Sequence, residues 1–133
     1  MLDTKIVNAR VIDGGGRAAY SADVGILAGK IAAIGDLRET AAGETIDARG
    51  RALTPGFLDI HRHADLAILS PDFGDWELRQ GLTTIVNGNC GMSPFPVSGE
   101  YAAAIGAYLQ PVTGSFPRAY ESFADYAASI PAL

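Results

Sequence analysis

Short apolar runs alternate with turn residues through the first third of the chain, and no helical period runs through them. Ile6 to Ile12 reads as a strand, closed by Asp13-Gly14-Gly15-Gly16, where glycine supplies the positive φ of a tight turn. Val24 to Leu27 and Lys30 to Ile34 flank Ala28-Gly29, which predicts a β-hairpin. Thr45 to Asp47 and Arg51 to Thr54 flank Ala48-Arg49-Gly50, which predicts a second one. Strands this short, with turns this close, argue for a small antiparallel sheet.

The pattern changes at Pro55-Gly56. Phe57-Leu58-Asp59-Ile60-His61 reads as a mostly apolar strand, followed by a polar loop over 63–70. Pro71 opens a helical stretch through Asp75 to Gln80, with Gly81 as its stop. Leu82-Thr83-Thr84-Ile85-Val86 is a second, β-branched strand. Residues 57–86 therefore form a strand–helix–strand unit of the length a parallel crossover takes. Two helical stretches follow, marked by Tyr101, Ile105, Tyr108 and Leu109 and by Tyr120, Phe123, Ala127 and Ile130. The reading divides the chain into 1–54 and 55–133.

Composition narrows the function classes. Hydrophobic residues make up 48% and charged residues 19% of the 133, a globular balance. The net charge is -5 and the basic residues form no run, so nucleic acid is not an expected partner. No stretch reaches the roughly 20 apolar residues of a bilayer span, so no membrane partner is expected. The start lacks the basic and apolar regions of a signal peptide, and the single cysteine cannot form an internal disulfide. Both observations suit a cytoplasmic protein.

The strongest chemical signal is His61-Arg62-His63 at the end of the 57–61 strand. Strand side chains alternate, so Asp59, His61 and His63 are expected on one face, where two imidazoles one pleat apart can grip a metal ion. An isolated pair of this kind is more often two surface histidines. Its place at the C-terminal end of a strand, where βα barrels carry functional residues, favours the ligand reading. Asn87-Gly88-Asn89-Cys90-Gly91 follows the second strand, so Cys90 can face the same space. A thiolate is a strong ligand for a divalent metal, although a lone cysteine is more often a small buried hydrophobe. Asp65 reads more readily as a solvated loop carboxylate than as a ligand. Asp59 could orient a histidine from below. Arg62 should point away from the histidines into an ion pair.

Pro55-Gly56-Phe57-Leu58-Asp59-Ile60-His61-Arg62-His63 resembles the metal-binding first strand of the amidohydrolase superfamily. Asn8-Ala9-Arg10-Val11-Ile12-Asp13-Gly14 and Gly29-Lys30-Ile31-Ala32-Ala33-Ile34-Gly35 resemble the β-sandwich strands that precede it. Gly81 to Gly91, with its Gly-Asn-Cys-Gly core, is similar to the corresponding segment of the D-aminoacylases, or N-acyl-D-amino-acid deacylases. Tyr120-Glu121-Ser122-Phe123-Ala124-Asp125-Tyr126 is similar to a helix of the same enzymes. The family pattern has a small residue where this chain has Arg62.

The resemblance implies an α/β fold: part of a β-sandwich, then the first strands and helices of an incomplete (β/α)8 barrel. It implies a zinc cofactor (Zn2+), with His61, His63 and Cys90 as metal ligands. It also implies an N-acyl-D-amino acid as the small-molecule partner, its amide hydrolysed by metal-activated water. The family's further histidine ligands and its catalytic aspartate come from later strands. This chain contains 2 histidines, so the expectation is an amino-terminal portion, inactive alone, that self-associates through an unfinished barrel edge. Two other readings stay open: part of a hydantoinase- or dihydroorotase-like amidohydrolase, and a non-catalytic interaction piece.

Overall fold

A computed structural model describes residues 1–113 and 118–131. The chain forms two compact units, Met1–Pro55 and Gly56–Leu133. No helix among the described residues is long and apolar enough to cross a membrane.

The first unit is one five-stranded sheet. It comprises β1 (Leu2–Val11), β2 (Tyr20–Leu27), β3 (Lys30–Gly35), β4 (Ala42–Asp47) and β5 (Ala52–Leu53). The order is β3-β2-β1-β4, with β5 also paired to β1. The hairpin of β2 and β3 turns at Ala28 and Gly29, with φ of 52° and 70°. Two positive φ values in a two-residue loop match the right-handed twist of the strands. Ala9, Val11 and Val24 form the buried cluster, with Ile6, Tyr20 and Leu53 packed on it.

The predicted second hairpin is absent, and the sheet is mixed rather than antiparallel. β4 and β5 do not pair with each other; both run parallel to β1, in registers Lys5↔Thr45 and Val11↔Leu53. The cause lies at residues 48–50. Arg49 and Gly50 take φ of 54° and 77°, and Ala48 and Gly50 donate their N–H groups to the carbonyls of Val7 and Asn8. The segment is therefore a small excursion against β1, after which the chain continues in its former direction.

Two buried charges tie the loop after β3 to this sheet. Lys5 Nζ donates to the carbonyls of Leu37, Arg38 and Thr40 at 3.1, 3.3 and 2.9 Å. The Asp23 carboxylate accepts from the N–H groups of Asn8 and Leu37, both at 3.0 Å. Each buried charge thus has the partners that burial demands.

The second unit opens with β6 (Phe57–Asp59), followed by α1 (Asp75–Arg79), β7 (Leu82–Ile85), α2 (Ala102–Thr113) and α3 (Phe123–Ala127). β6 and β7 pair in parallel, as the crossover pattern predicted. β6 is two residues shorter than expected. Asp59 Oδ1 accepts the N–H of His61 at 3.1 Å, an Asx turn that takes the chain out of the sheet. The last helix is also shorter than its apolar spacing suggested. Ser122 caps it by accepting the N–H of Asp125, leaving Tyr120 outside. Tyr120 and Tyr126 are buried and pack edge to face, with ring centroids 5.4 Å apart.

β6 and β7 meet so closely at their start that Gly56 has no room for a side chain. A Cβ there would lie 2.0 Å from Thr83 Oγ1 and 2.7 Å from Thr83 Cβ. Gly56→Ala is expected to lower the free energy of chemical unfolding by about 1–3 kcal/mol, the usual cost of overpacking. An unchanged denaturant midpoint would mean that the two strands can part without cost.

Candidate metal centre

Parallel pairing carries the two chemical motifs to the same end of one strand pair. The ladder continues past the strands: Val86 donates its N–H to the Asp59 carbonyl at 2.8 Å, and Arg62 donates to the Val86 carbonyl at 3.1 Å. The loop bearing His61 and His63 therefore lies beside the loop bearing Cys90.

The structure brings all three residues together. One ligand atom from each of His61, His63 and Cys90 lies within 4.8 Å of the others. Cys90 Sγ is 3.3 Å from His61 Nε2. The two imidazole rings have centroids 5.3 Å apart at 78°. Since β6 has already ended, the strand pleat does not align them. The bend after Asp59 does, and Asp59 acts through the His61 backbone rather than through either ring.

Cys90 sits in a strained turn. Its φ is 57°, in the left-handed region, between Gly88 at 82° and Gly91 at 68°. A non-glycine residue held there costs of order 1 kcal/mol or more, and such positions cluster at functional sites. Tyr108 Oη donates to the Cys90 carbonyl at 3.2 Å. Asn89 Nδ2 donates to the carbonyls of Arg62 and Val86 at 3.3 and 2.8 Å, and Asn87 Oδ1 accepts the Ala64 N–H at 3.1 Å.

Arg62 turns away from the imidazoles, as expected. It pairs with Glu77 of α1 and lies 3.6 Å from the Asp59 carboxylate. Asp65 differs from expectation. It is 4% exposed, and neither carboxylate oxygen has a hydrogen-bond partner among the described residues. The loop folds inward there because Tyr126 Oη donates to the Asp65 carbonyl at 2.6 Å. Burial, and then the negative charge of Asp65, push the Tyr126 phenol up to about 12.

The donor set fits a zinc-like ion. At ordinary Zn–S and Zn–N bond lengths, two ligand atoms on one tetrahedral ion stand about 3.5 Å apart, close to the 3.3 Å between Cys90 and His61. His63 Nδ1 is buried and has no hydrogen-bond partner among the described residues, which leaves that atom free for a ligand role. Neither Tyr108 nor the two asparagines stood out as site residues in the sequence. The one local hint was the Asn-Gly-Asn spacing, where a glycine able to adopt positive φ separates two amides.

A thiol and two imidazoles at the mouth of adjacent parallel strands define a candidate transition-metal centre on an α/β scaffold. Over 106 residues the chain is 46% identical to N-acyl-D-glutamate deacylase of Alcaligenes xylosoxydans xylosoxydans, a match covering 78% of this chain and 22% of that protein. Its fold matches a D-aminoacylase with a binuclear metal centre at a TM-score of 0.84, with 33% identity, over 97% of this chain and 27% of the other. It also matches N-acyl-D-glutamate deacylase from Bordetella bronchiseptica, solved with zinc and a phosphonate inhibitor. There the TM-score is 0.79 with 39% identity, over 96% of this chain and 26% of that one. No protein-family model matches the chain. The likeness in sequence and fold places it in the D-aminoacylase family of amidohydrolases, and the chain spans about a quarter of the length of these relatives.

The raised Tyr126 phenol gives a pH prediction. Its folded pKa of about 12 exceeds the ordinary 10.0. The stability it contributes is therefore fully present below pH 10.0 and lost as pH rises through about 12. Denaturant midpoints followed across this range should fall less steeply for Tyr126→Phe than for the parent. Parallel profiles would remove Tyr126 as the titrating group.

Proposed function

We propose that this chain is the amino-terminal part of a zinc-dependent N-acyl-D-amino-acid deacylase, and that His61, His63 and Cys90 are metal ligands. The observation that carries the reading is the convergence of these three donors within 4.8 Å. Relatives of the same family, one of them solved with zinc, support it. The Cys90 motif favours a deacylase over a hydantoinase- or dihydroorotase-like enzyme. On this reading, residues 55–133 open an incomplete (β/α)8 barrel, and a cytoplasmic location suits the lone thiol.

His61, His63 and Cys90 would hold the zinc ion, which would supply Lewis acidity and activate water near neutral pH. The chain's own part is to hold donors. His61 and His63 present imidazole nitrogens from one loop, and Cys90 presents sulfur from the next. Arg62, locked to Glu77 and Asp59, keeps its cation out of the space between the imidazoles. The resemblance places the residue that carries a proton to the departing amine on a later strand, outside residues 1–133. The 133-residue chain should therefore bind metal without turning over substrate. Exposed Phe57, Leu58 and Ile60 support self-association of the isolated chain.

Titration of the metal-free chain with zinc should show uptake that Cys90→Ala and His61→Ala each weaken by at least about tenfold. The same loaded chain should release no D-amino acid from N-acyl-D-glutamate. Zinc uptake unaffected by either substitution would sink the ligand assignment. Chelator-sensitive hydrolysis would sink the proposal of an inactive chain.

A further inference from the structure

The geometry points to Asn87 and Asn89 as a clamp that sets the position of the histidine loop relative to Cys90, through hydrogen bonds of fixed polarity. It deepens the metal-binding role proposed for His61, His63 and Cys90, and it concerns how those donors are held.

The two peptide groups on either side of His63 are both engaged from the cysteine turn. On one side the Arg62 carbonyl accepts from Asn89 Nδ2 at 3.3 Å. On the other the Ala64 N–H donates to Asn87 Oδ1 at 3.1 Å. Asn89 Nδ2 also donates to the Val86 carbonyl at 2.8 Å, and that carbonyl accepts the Arg62 N–H as well. The histidine loop is thus fastened to the turn carrying the thiol on both sides of one ligand.

Gly88 makes the double reach possible. Its φ of 82° reverses the chain between the two asparagines, so both side chains address the same neighbouring loop. Both asparagines are partly buried. In such a setting an unmet carbonyl or N–H costs more than the bond itself contributes. Nothing else in the protein bridges these loops through side-chain amides among the described residues.

The polarities are opposite, and this makes the clamp testable. Asn89 must donate, which a carboxylate cannot do. Asn87 must accept, which a carboxylate does well. Three near-isosteric or truncating variants of the 133-residue chain, Asn89→Asp, Asn87→Asp and Asn87→Ala, separate the clamp from a general packing role. The first readout needs no metal: the nuclear Overhauser contact between the His61 ring and the Cys90 β-protons, with exchange of the Ala64 amide. The second is a Co2+ titration followed by thiolate-to-cobalt charge-transfer absorption.

Asn87→Asp should keep the contact and the protected Ala64 amide. Asn87→Ala should lose Ala64 protection, and Asn89→Asp should lose the His61–Cys90 contact. Both should bind cobalt about 10–100-fold more weakly, the usual cost of losing a group that orients a ligand. A parent chain that shows the contact pattern but takes up no cobalt supports the clamp and overturns the metal-binding role. The clamp is overturned if the parent lacks the contact, if Asn89→Asp matches the parent, or if Asn87→Asp is as impaired as Asn87→Ala.

Discussion

Val86 gives its backbone N–H to Asp59 and takes one from Arg62. These two bonds extend a ladder whose regular part is only three residues of β6 and four of β7. Neighbouring strands stand about 4.8 Å apart. Any two loops that leave such a pair at the same end are therefore neighbours, whatever their separation in sequence. The His61 contact to Cys90, across 29 positions, follows from that register. An antiparallel pairing would have sent the two motifs to opposite ends. The missing side chain at Gly56 belongs to the same constraint, since it lets the strands approach before the loops diverge.

The loops themselves are held at some cost. Cys90 occupies a backbone region that L-residues avoid, and His63 Nδ1 is buried with no partner among the described residues. Both run against the general tendency to satisfy buried polar atoms and relax the backbone. They are offset by a dense set of polar ties: Tyr108 to the Cys90 carbonyl, the two asparagines to the histidine loop, and Arg62 to Glu77 and Asp59. On the proposed metal-binding role, these ties would hold the three donors in a defined geometry.

Much of this was legible in the sequence because the signals were local. Phe57 onward and Leu82 onward are apolar or β-branched runs at crossover distance, and both chemical motifs sit just after them. What escaped was decided by particular hydrogen bonds, most of them to distant partners. Ala48-Arg49-Gly50 has the residues of a hairpin turn, yet its N–H groups bond to β1, and β4 and β5 both run parallel to that strand. The end of β6 was set by Asp59 bonding two residues ahead, which overrode the apolar Ile60. Asp65 looked solvated because nothing nearby in sequence shows Tyr126, 61 positions on, drawing its peptide inward.

Lys5 carries a consequence of a different kind. The sequence has two lysines, Lys5 and Lys30. All three protons of the Lys5 ammonium are taken up by the carbonyls of Leu37, Arg38 and Thr40, and the residue is 8% exposed. Lys30 stands exposed at the β2–β3 hairpin. Reagents that attack amines would therefore find one reactive side chain, and both lysines lie in the first unit. A dye, a bead or a surface attached by that chemistry would leave the unit bearing His61, His63 and Cys90 without a covalent mark.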